Sequence, residues 1–358
     1  MKAVILVGGE GTRLRPLSYD VPKPMMPIVN RPFMEHMVDN LVRHGFNEIV
    51  FALGYKSDAF GRHFQNDGNR WGARFWHEVE SFPLGTAGPV KNVEALLDDT
   101  FLVFNGDVLA DVDLTALLRL HRDLGAVGTL ALTPVEDPST YGVVVTDAEK
   151  RVRAFIEKPP RDQAPSNAIN AGMYVLEPQV LKYMQPGVAW SFERQLFPDL
   201  VAAGEKLCAT ITEGYWLDIG SPSRYLQGNH DVLRGAVRAE VPELDGARRW
   251  IADSARIDPS AEVEGPVWIA QDCVVSAGVR LEGPLVLRSG VFIGERAQVT
   301  RSVLWEGSRV GVHAWLHECL VGRRAVVGDE ASMESLAVLG SGERLPSGAT
   351  LAAGEKQP

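Results

Sequence analysis

Three closely spaced glycines followed by two basic residues are the feature of this sequence best suited to bind a chain of phosphates. Gly8, Gly9 and Gly11 come directly after a short aliphatic run, and Arg13 and Lys23 follow them. Glycines let backbone N–H groups approach an anion closely, and the start of a following helix adds a positive dipole. Backbone donors combined with two fixed cations favour a polyphosphate over a neutral ligand.

This segment differs from the two common phosphate-binding motifs. No Gly-Lys-Ser or Gly-Lys-Thr follows the glycines, which excludes a Walker A loop, and the third glycine of the dinucleotide fingerprint is missing. Lys23 lies between Pro22 and Pro24, whose rings restrict the backbone and hold the lysine on a stiff segment. Because the glycines alone could simply close a strand-to-helix turn, the prediction depends on the whole string.

Two aspartates could hold a divalent metal ion. Asp107 follows the apolar run that begins at Phe101, and Asp218 lies in Trp216-Leu-Asp218-Ile-Gly220. Either aspartate alone could cap a turn. As a pair they offer the carboxylate oxygens that Mg²⁺ prefers alongside the phosphate oxygens of a substrate.

The N-terminal string resembles the signature of the nucleotide-sugar pyrophosphorylases, which are sugar-1-phosphate nucleotidyltransferases. The matching residues are Gly8-Gly9-x-Gly11-Thr12-Arg13-Leu14-x-Pro16-Leu17 and Pro22-Lys23-Pro24. The resemblance covers essentially the whole chain. It implies transfer of a nucleoside monophosphate from a nucleoside triphosphate to a sugar-1-phosphate, with release of pyrophosphate. It also implies that Arg13, Lys23 and Asp107 are catalytic and that Asp107 and Asp218 hold Mg²⁺.

The same resemblance assigns a sugar-phosphate site. Glu157-Lys158-Pro159 matches the family's Glu-Lys-Pro motif, in which the lysine meets the sugar phosphate and the glutamate meets sugar hydroxyls. These roles suit a cation that neutralises a phosphomonoester and a carboxylate that accepts hydroxyl hydrogen bonds. Gly142, Asn170 and Gly172 match the remaining sugar contacts, although without the resemblance they could equally be turn residues.

The nucleotide contacts that the resemblance implies come from the N-terminal string and from a second glycine-rich loop. They are Leu6, Gly8, Gly9, Gly11, Thr12, Glu80, Gly85, Thr86 and Gly88. Leu84-Gly-Thr-Ala-Gly88, preceded by Glu78 and Glu80, looks like the mannose-1-phosphate guanylyltransferases, so GTP and mannose-1-phosphate are the predicted substrates. Some uridylyltransferases share this loop, and the Gln-Pro-x-Gly-Leu stretch of the thymidylyltransferases is missing. Glucose-1-phosphate with dTTP or UTP therefore remains open.

The elements that would position these residues alternate between strand and helix from residue 1 to about 235. The predicted strands are Ala3–Val7, Glu48–Leu53, Phe101–Phe104, Gly128–Thr133 and Met173–Leu176, and the predicted helices are Phe33–Gly45, Val90–Leu97 and Leu114–Leu124. This alternation predicts an α/β nucleotidyltransferase domain with a doubly wound, mostly parallel, Rossmann-like sheet. Ligands bind such sheets at the carboxyl ends of strands, where Gly8 and Asp107 fall.

A different period begins near residue 250. Aliphatic residues recur every six positions from Ile251 to Leu351, with two slips of one residue near Leu304 and Val321. Neither a helix nor an ordinary strand keeps period-six residues on one face over such a length, but a three-sided solenoid does. The repeat resembles the hexapeptide left-handed β-helix, which we predict for residues 250–358, after a linker at 236–249.

Composition limits the alternatives. The net charge of −10 argues against broad binding to nucleic acid or to anionic membranes, so an anionic nucleotide must meet a local positive site. Three dispersed cysteines predict buried thiols in a reducing compartment rather than disulfides or a zinc site. No stretch is long enough to span a membrane, and no signal peptide is evident. We therefore expect a cytoplasmic protein.

Two further hypotheses stay open. A regulatory subunit could keep the fold but lose the chemistry, although this chain retains the charged residues that such a paralogue is expected to lose. The solenoid could instead be an acyltransferase, with His313 or His317 as a base. We expect it to be an interaction surface through which the chain forms a homo-oligomer.

Overall fold

The computed structural model describes residues 1–9, 11–54, 60–61, 63–64, 70–241 and 244–358. By packing, the chain divides into two units. The first comprises Met1–Gly9 and Met37–Trp216, and the second comprises Glu10–His36 and Leu217–Pro358. The second unit thus joins a short N-terminal segment to the whole C-terminal part of the chain. These units combine segments that are distant in the chain, so they do not test the predicted division into residues 1–235, 236–249 and 250–358, which remains a prediction.

Strands and helices alternate before the C-terminal repeat, and we number each class in chain order. They are β1 (Lys2–Val7), β2 (Pro27–Ile28), β3 (Arg31–Pro32), α1 (Phe33–Arg43), β4 (Glu48–Leu53), β5 (Arg74–Val79), α2 (Gly88–Asn92), β6 (Phe101–Asn105), β7 (Val108–Val112), α3 (Leu114–Leu124), β8 (Gly128–Pro134), β9 (Gly142–Thr146), β10 (Val152–Glu157), β11 (Ala168–Leu176), α4 (Phe197–Ala202), β12 (Leu207–Ile211), β13 (Gly214–Asp218) and α5 (Pro222–Arg234). Tight 3₁₀ turns cover Thr12–Leu14, Leu17–Tyr19, Lys23–Met25, Glu94–Leu96, Pro138–Thr140, Arg161–Gln163 and Pro178–Tyr183, and a π-helical turn covers Phe192–Leu196.

The main sheet of the first unit has a parallel part and an antiparallel part. Strands β6, β1, β4 and β5 are neighbours in that order and run parallel. The central strand β1 is paired on both edges, and Ala3, Val4 and Ile5 are fully buried, as a continuous aliphatic run requires. Strand β11 then pairs antiparallel with β6, β8 and β9. The predicted α/β class is confirmed, with a mixed sheet.

The helix predicted at Val90–Leu97 is divided in the structure. Helix α2 ends at Asn92, and a 3₁₀ turn follows at Glu94–Leu96. This change of winding lets Val90, Val93 and Leu97 all reach the core. The other predicted helices agree more closely, because α3 has the predicted bounds and α1 ends two residues early.

Residues 249–358 form a parallel β-helix of the hexapeptide-repeat class, with three faces. The first face contains β14 (Arg249–Ile251), β17 (Val267–Ile269), β20 (Leu285–Leu287), β23 (Val303–Leu304), β26 (Leu320–Val321), β29 (Val338–Leu339) and β32 (Lys356–Gln357). The second contains β15 (Arg256–Ile257), β18 (Val274–Val275), β21 (Phe292–Ile293), β24 (Arg309–Val310), β27 (Val326–Val327) and β30 (Arg344–Leu345). The third contains β16 (Glu262–Glu264), β19 (Arg280–Glu282), β22 (Gln298–Thr300), β25 (Trp315–His317), β28 (Ser332–Met333) and β31 (Thr350–Leu351).

The period-six residues form the interior of this β-helix. From Ile269 to Leu351 they are buried, and Ile251 at the first coil is 40% exposed because no coil covers it. The two slips fall in turns where Arg301 and Glu318 adopt positive φ, so Leu304 and Val321 stay in register. Gly311 and Gly322 each come directly after an interior residue. An added Cβ at either position would lie 2.5 Å from a backbone nitrogen of the next coil, so only glycine fits there.

Cys208, Cys273 and Cys319 are free and buried, as predicted. Burial raises the pKa of Cys319 to about 12 and that of Cys273 to about 11, so both are inert thiols. Among the described residues, no helix combines the length and the apolar character needed to cross a bilayer.

A buried histidine at the junction of α5 with the β-helix gives a pH prediction. His230 Nε2 donates a hydrogen bond to the Arg301 carbonyl at 3.0 Å, and burial lowers the pKa of His230 from 6.5 to about 4. The unfolded chain therefore binds more protons than the folded chain between these values. We expect the free energy of unfolding to fall by about 3 kcal/mol from this group as the pH drops from 7 to 4.

Chemical denaturation at several pH values checks this expectation. A His230→Gln variant has no imidazole to protonate, so its unfolding free energy should depend on pH less steeply than that of the wild type. The difference between the two proteins should be about 3 kcal/mol between pH 7 and pH 4. The comparison uses the slope with pH, and a general loss of stability in the variant does not affect it. Equal slopes for the two proteins would contradict the assignment.

Candidate active site

The first two glycines end β1 at an edge where neighbouring backbones come very close. Gly54 donates its N–H to the Val7 carbonyl at 3.1 Å, and Gly106 donates to the Leu6 carbonyl at 3.0 Å. A Cβ on Gly106 would collide with that same Leu6 carbonyl. The Gly-Asp sequence after β6 is therefore held against the end of β1, which brings Asp107 to the edge that carries Gly8.

In the second unit, the remaining part of the glycine-rich string folds as a tight turn. Gly11 has a φ of +61°, and its carbonyl accepts hydrogen bonds from Leu14 N at 2.9 Å and Ser18 Oγ at 2.8 Å. A Cβ on Gly11 would lie 3.3 Å from Lys23 Cβ. The two basic residues predicted from the string are thus on two 3₁₀ turns, Thr12–Leu14 and Lys23–Met25, with the turn Leu17–Tyr19 between them in the chain.

Gly220 is the point around which three predicted residues of the second unit converge. An added Cβ there would meet Arg13 Nη2 at 2.8 Å and both carboxylate oxygens of Asp218 at 2.9 Å. Lys23 Nζ lies 3.9 Å from Asp218 Oδ1. Two cations and one carboxylate therefore share a small space that only glycine leaves open, and this arrangement can hold phosphate oxygens and a metal ion.

A polar cluster lies near Asp107 in the first unit, close enough for the Asp107 charge to act on Tyr174. Gly172, with a φ of +73°, passes so close to Asn105 that a Cβ would lie 2.7 Å from its Nδ2, and Gly172 N donates to Asn170 Oδ1 at 3.0 Å. Asn170 Nδ2 donates to the Tyr174 hydroxyl at 2.7 Å. Burial first, and then the charges of Glu193 and Asp107, raise the pKa of Tyr174, which stays a neutral hydroxyl.

Three of the predicted sugar-phosphate residues, Gly142, Glu157 and Lys158, lie at the paired ends of β9 and β10, whereas Asn170 and Gly172 lie on β11. Glu157 is opposite Gly142, and a Cβ on Gly142 would lie 3.1 Å from Glu157 Oε2. Lys158 adopts a φ of 50°, donates its N–H to the Tyr141 carbonyl at 3.0 Å, and its Nζ lies 3.5 Å from Glu157 Oε1. The lysine side chain is 58% exposed, so its charge is accessible to an incoming anion.

The Leu84–Gly88 loop is fixed by backbone contacts and by one carboxylate. Cβ atoms on Gly85 or Gly88 would collide with the backbone around Trp190. Glu80 Oε2 accepts the Leu84 N–H at 3.1 Å, and partial burial raises the pKa of Glu80. The loop is therefore rigid, and Glu80 belongs to its support as well as to the predicted nucleotide contacts.

The sequence did not identify Glu193, which connects this loop to the polar cluster. Its Oε2 accepts hydrogen bonds from Thr86 Oγ1 at 2.9 Å and Ser191 Oγ at 2.8 Å, and its Oε1 accepts one from the Tyr174 hydroxyl at 3.4 Å. Glu193 lies 107 residues after Thr86. No local pattern marks that contact, although a carboxylate two residues after a helix-capping serine is a weak signal of the turn itself.

Each unit carries an aspartate whose donor chemistry fits Mg²⁺. Asp107 in the first unit and Asp218 in the second are each a hard oxygen donor of the type that Mg²⁺ takes together with substrate phosphates. Within the described residues, no group of three His, Cys, Asp or Glu side chains could hold a metal by itself. Asn105 Oδ1, two residues before Asp107, is buried without a hydrogen-bond partner in the described part of the chain, so an oxygen is left for a bound group.

Comparison with known proteins gives matches along most of the chain. The family model described as nucleotidyl transferase matches residues 2–235, and the one described as GlmU-like, C-terminal hexapeptide matches residues 258–334. The catalytic subunit beta of mannose-1-phosphate guanylyltransferase from Danio rerio is 37% identical, over 95% of this chain and 91% of that protein. The UTP–glucose-1-phosphate uridylyltransferase of a Synechocystis strain is 36% identical, over 90% and 87%.

A solved structure adds a bound nucleotide to these matches. It is HddC from Yersinia pseudotuberculosis complexed with GMP-PN, 29% identical, with a TM-score of 0.56. The match covers 64% of this chain and 99% of that one.

Proposed function

This chain belongs to the nucleotidyl transferase family, in its sugar-1-phosphate branch, and on that premise we propose that it converts GTP and mannose-1-phosphate to GDP-mannose and pyrophosphate. The observation that carries the proposal is the convergence of Arg13, Lys23 and Asp218 around Gly220. Such an arrangement suits a triphosphate undergoing substitution better than it suits a neutral substrate.

The proposed reaction is one in-line displacement. A phosphate oxygen of mannose-1-phosphate attacks the α-phosphorus of GTP, a new P–O bond forms, and the bond to the bridging oxygen breaks so that pyrophosphate leaves with the electron pair. The nucleophile is already an anion, so neither a covalent enzyme intermediate nor a general base is needed. Catalysis then consists of positioning the two substrates and neutralising charge at the transferring phosphorus.

Each predicted residue has a role in this scheme. Arg13 stabilises the charge that develops at the α-phosphorus, and Lys23 orients the triphosphate. Lys158 meets the sugar phosphate, while Glu157 and Asn170 accept or donate hydrogen bonds at the sugar hydroxyls. Asp107 and Asp218 would hold Mg²⁺, which supplies charge neutralisation for the phosphates when it is bound. Gly142 and Gly172 complete the proposed sugar contacts. The proposed nucleotide contacts are Leu6, Gly8, Gly9, Gly11, Thr12, Glu80, Gly85, Thr86 and Gly88.

The choice of GTP and mannose rests on three supports. The Leu84–Gly88 loop has the form expected for guanylyltransferases, the Danio rerio relative carries that name, and the HddC structure contains a guanine nucleotide analogue. The Synechocystis uridylyltransferase is nearly as similar, so UTP with glucose-1-phosphate is the second candidate.

A substrate grid tests the proposal. Pyrophosphate release is measured with Mg²⁺ for GTP, dTTP, UTP, ATP and CTP, each combined with mannose-, glucose- and N-acetylglucosamine-1-phosphate. We expect release with GTP and mannose-1-phosphate. Preference for UTP and glucose-1-phosphate would keep the reaction and correct the substrates, and no release from any pair by folded protein would favour a regulatory subunit.

Replacing Glu193 tests whether this carboxylate helps to position the two substrates. Because its carboxylate joins Thr86, a proposed nucleotide contact, to Tyr174 and through it to Asn170, a proposed sugar contact, Glu193→Gln should loosen both contacts. We expect kcat/KM to fall about tenfold, corresponding to about 1.4 kcal/mol for a weakened charge-assisted hydrogen bond.

A matched control exists elsewhere in the first unit. Glu205 also accepts a hydrogen bond from a tyrosine hydroxyl, that of Tyr183 at 2.8 Å, but it takes part in no proposed contact with substrate. Glu205→Gln should leave steady-state kinetics unchanged. If both variants behave alike in kcat/KM, Glu193 has no role in positioning the substrates.

A further inference from the structure

The last coil of the β-helix contacts the turn that carries Arg13. Lys356 Nζ, on β32, donates a hydrogen bond to the Arg13 carbonyl at 2.9 Å. Gly340, directly after β29, faces the chain two residues after that turn, because a Cβ there would lie 3.2 Å from Pro16 Cβ. All of these residues belong to the second unit. The C-terminal coil thus contacts the backbone of a residue that is 343 positions earlier in the chain.

The same face of the β-helix also holds the turn that follows Lys23. Arg288, directly after β20, donates from Nη1 to the Val29 carbonyl at 2.8 Å. Trp305, directly after β23, donates from Nε1 to the Tyr225 hydroxyl at 3.0 Å, and that hydroxyl donates to the Pro27 carbonyl. Residues that come one position after first-face strands therefore reach the N-terminal segment directly at Arg288 and Gly340, and through the Tyr225 hydroxyl at Trp305.

The backbone that these contacts hold is not in a relaxed conformation. Val29 has a φ of 54°, a region that a β-branched residue rarely occupies and that costs about 1–3 kcal/mol. The Val29 N–H donates to Asn229 Oδ1 at 2.7 Å, and its carbonyl accepts from Arg288. The surrounding structure fixes this turn, so the β-helix helps determine the course of the chain between Lys23 and α1.

The Arg13 carbonyl is the contact closest to the proposed chemistry. In the turn Thr12–Leu14, the carbonyls of Gly11 and Thr12 accept hydrogen bonds from Leu14 N and Arg15 N. The Arg13 carbonyl instead accepts a hydrogen bond from the ammonium group of Lys356. This charge-assisted hydrogen bond comes from an exposed lysine, and it favours one orientation of that peptide and therefore one direction in which the Arg13 side chain leaves the backbone.

We propose that Lys356 is a positioning residue for Arg13, so that the last coil of the β-helix contributes to turnover without touching substrate. This inference rests on the proposed function for its kinetic consequence. Small displacements of a charged group near a transferring phosphorus have large effects on rate, whereas they change ground-state affinity less. The loss should therefore appear in kcat and not in the KM for the sugar phosphate.

The test compares Lys356→Met with two other variants in the same coil. Lys356→Met keeps the length of the side chain but removes the donor, and we expect kcat to fall about five- to tenfold with an unchanged KM for the sugar phosphate. Lys356→Arg keeps a cationic donor and should recover at least half of the wild-type kcat. Gln357→Leu removes a hydrogen bond to the Arg344 carbonyl within the β-helix and should leave kcat unchanged.

Hydrogen exchange gives a readout that does not require activity. Amide exchange in the peptide covering residues 11–20 should accelerate in Lys356→Met but not in Gln357→Leu. If Lys356→Met keeps kcat within twofold of the wild type, or if Gln357→Leu loses as much, the positioning role is refuted. If the wild type releases no pyrophosphate, the proposed function fails. In that case, equal amide exchange across residues 11–20 in Lys356→Met and Gln357→Leu would refute the contact between Lys356 and the Arg13 carbonyl.

Discussion

We expect Arg13→Ala to lower kcat about 10²- to 10³-fold, with little change in the KM for either substrate. The guanidinium lies beside Asp218 and near Lys23, around the space that Gly220 leaves open. In the proposed reaction, negative charge increases at the α-phosphorus as pyrophosphate leaves. A donor preorganised toward that charge contributes mainly in the transition state, so its loss reduces turnover more than binding. Steady-state kinetics with the preferred substrate pair measure the effect.

Arg15 provides the control for Arg13. It is a second arginine on the same turn, and its guanidinium lies 5.3 Å from the centre of the Tyr19 ring. Arg15→Ala removes the same charge two residues away and should change kcat by less than about fivefold. Near-normal turnover in Arg13→Ala, or an equal loss in Arg15→Ala, would show that Arg13 does not act at the phosphorus.

We expect Asp107→Asn to lower kcat about 10³-fold and to raise the Mg²⁺ concentration needed for half-maximal activity. Asparagine preserves the shape of the side chain beside the close approach of Gly106 to the Leu6 carbonyl, so the fold should be unaffected. It removes one anionic ligand from the proposed metal site. A bound metal ion contributes several kcal/mol of charge stabilisation, and each 1.36 kcal/mol corresponds to tenfold in rate.

Asp111 is the matched control for this substitution. It lies on β7, four residues after Asp107, and forms an ion pair with Arg43 at 2.7 Å. Asp111→Asn should lose a little stability and keep its Mg²⁺ dependence. A metal requirement that stays the same in Asp107→Asn would exclude that aspartate as a ligand, whatever the effect on kcat.

The sequence was sufficient to predict the elements whose residues repeat with a regular period. Period-six aliphatic residues from Ile269 to Leu351 are buried inside the β-helix because each stacks on its equivalent in the next coil. The strand Glu48–Leu53 and the helix Leu114–Leu124 also have their predicted bounds. In α3, Asp113 caps the first turn and Gly125 ends the helix in a left-handed conformation, so local signals and packing agree.

The features that the sequence could not predict depend on contacts between distant parts of the chain. The antiparallel pairing of β11 with β6 and β8 is set by topology, and its residues are apolar enough for either direction. The contact of Glu193 with Thr86 and that of Lys356 with Arg13 join residues 107 and 343 positions apart. Val29 at positive φ is fixed by Asn229 and Arg288, and a β-branched residue gives no local sign of such a turn.

The glycines of the motifs show the same difference between what the sequence predicts and what the structure explains. Gly142 and Gly220 belong to motifs of the sequence and Gly106 directly precedes Asp107, but the physical reason for a glycine at each position is visible only in the structure. A Cβ at any of them would collide with the Leu6 carbonyl, with Phe155 and Glu157, or with Arg13 and Asp218. The motif therefore predicts which residues matter, and the packing explains why no other side chain fits there.

The most direct test of the proposed chemistry follows a phosphorus label. The protein is incubated with Mg²⁺, mannose-1-phosphate and GTP labelled at the α-phosphorus, and the products are separated. Displacement at the α-phosphorus predicts that all converted label appears in GDP-mannose and that the pyrophosphate is unlabelled. Label recovered in GMP or GDP with mannose-1-phosphate left unchanged would contradict nucleotidyl transfer to the sugar phosphate.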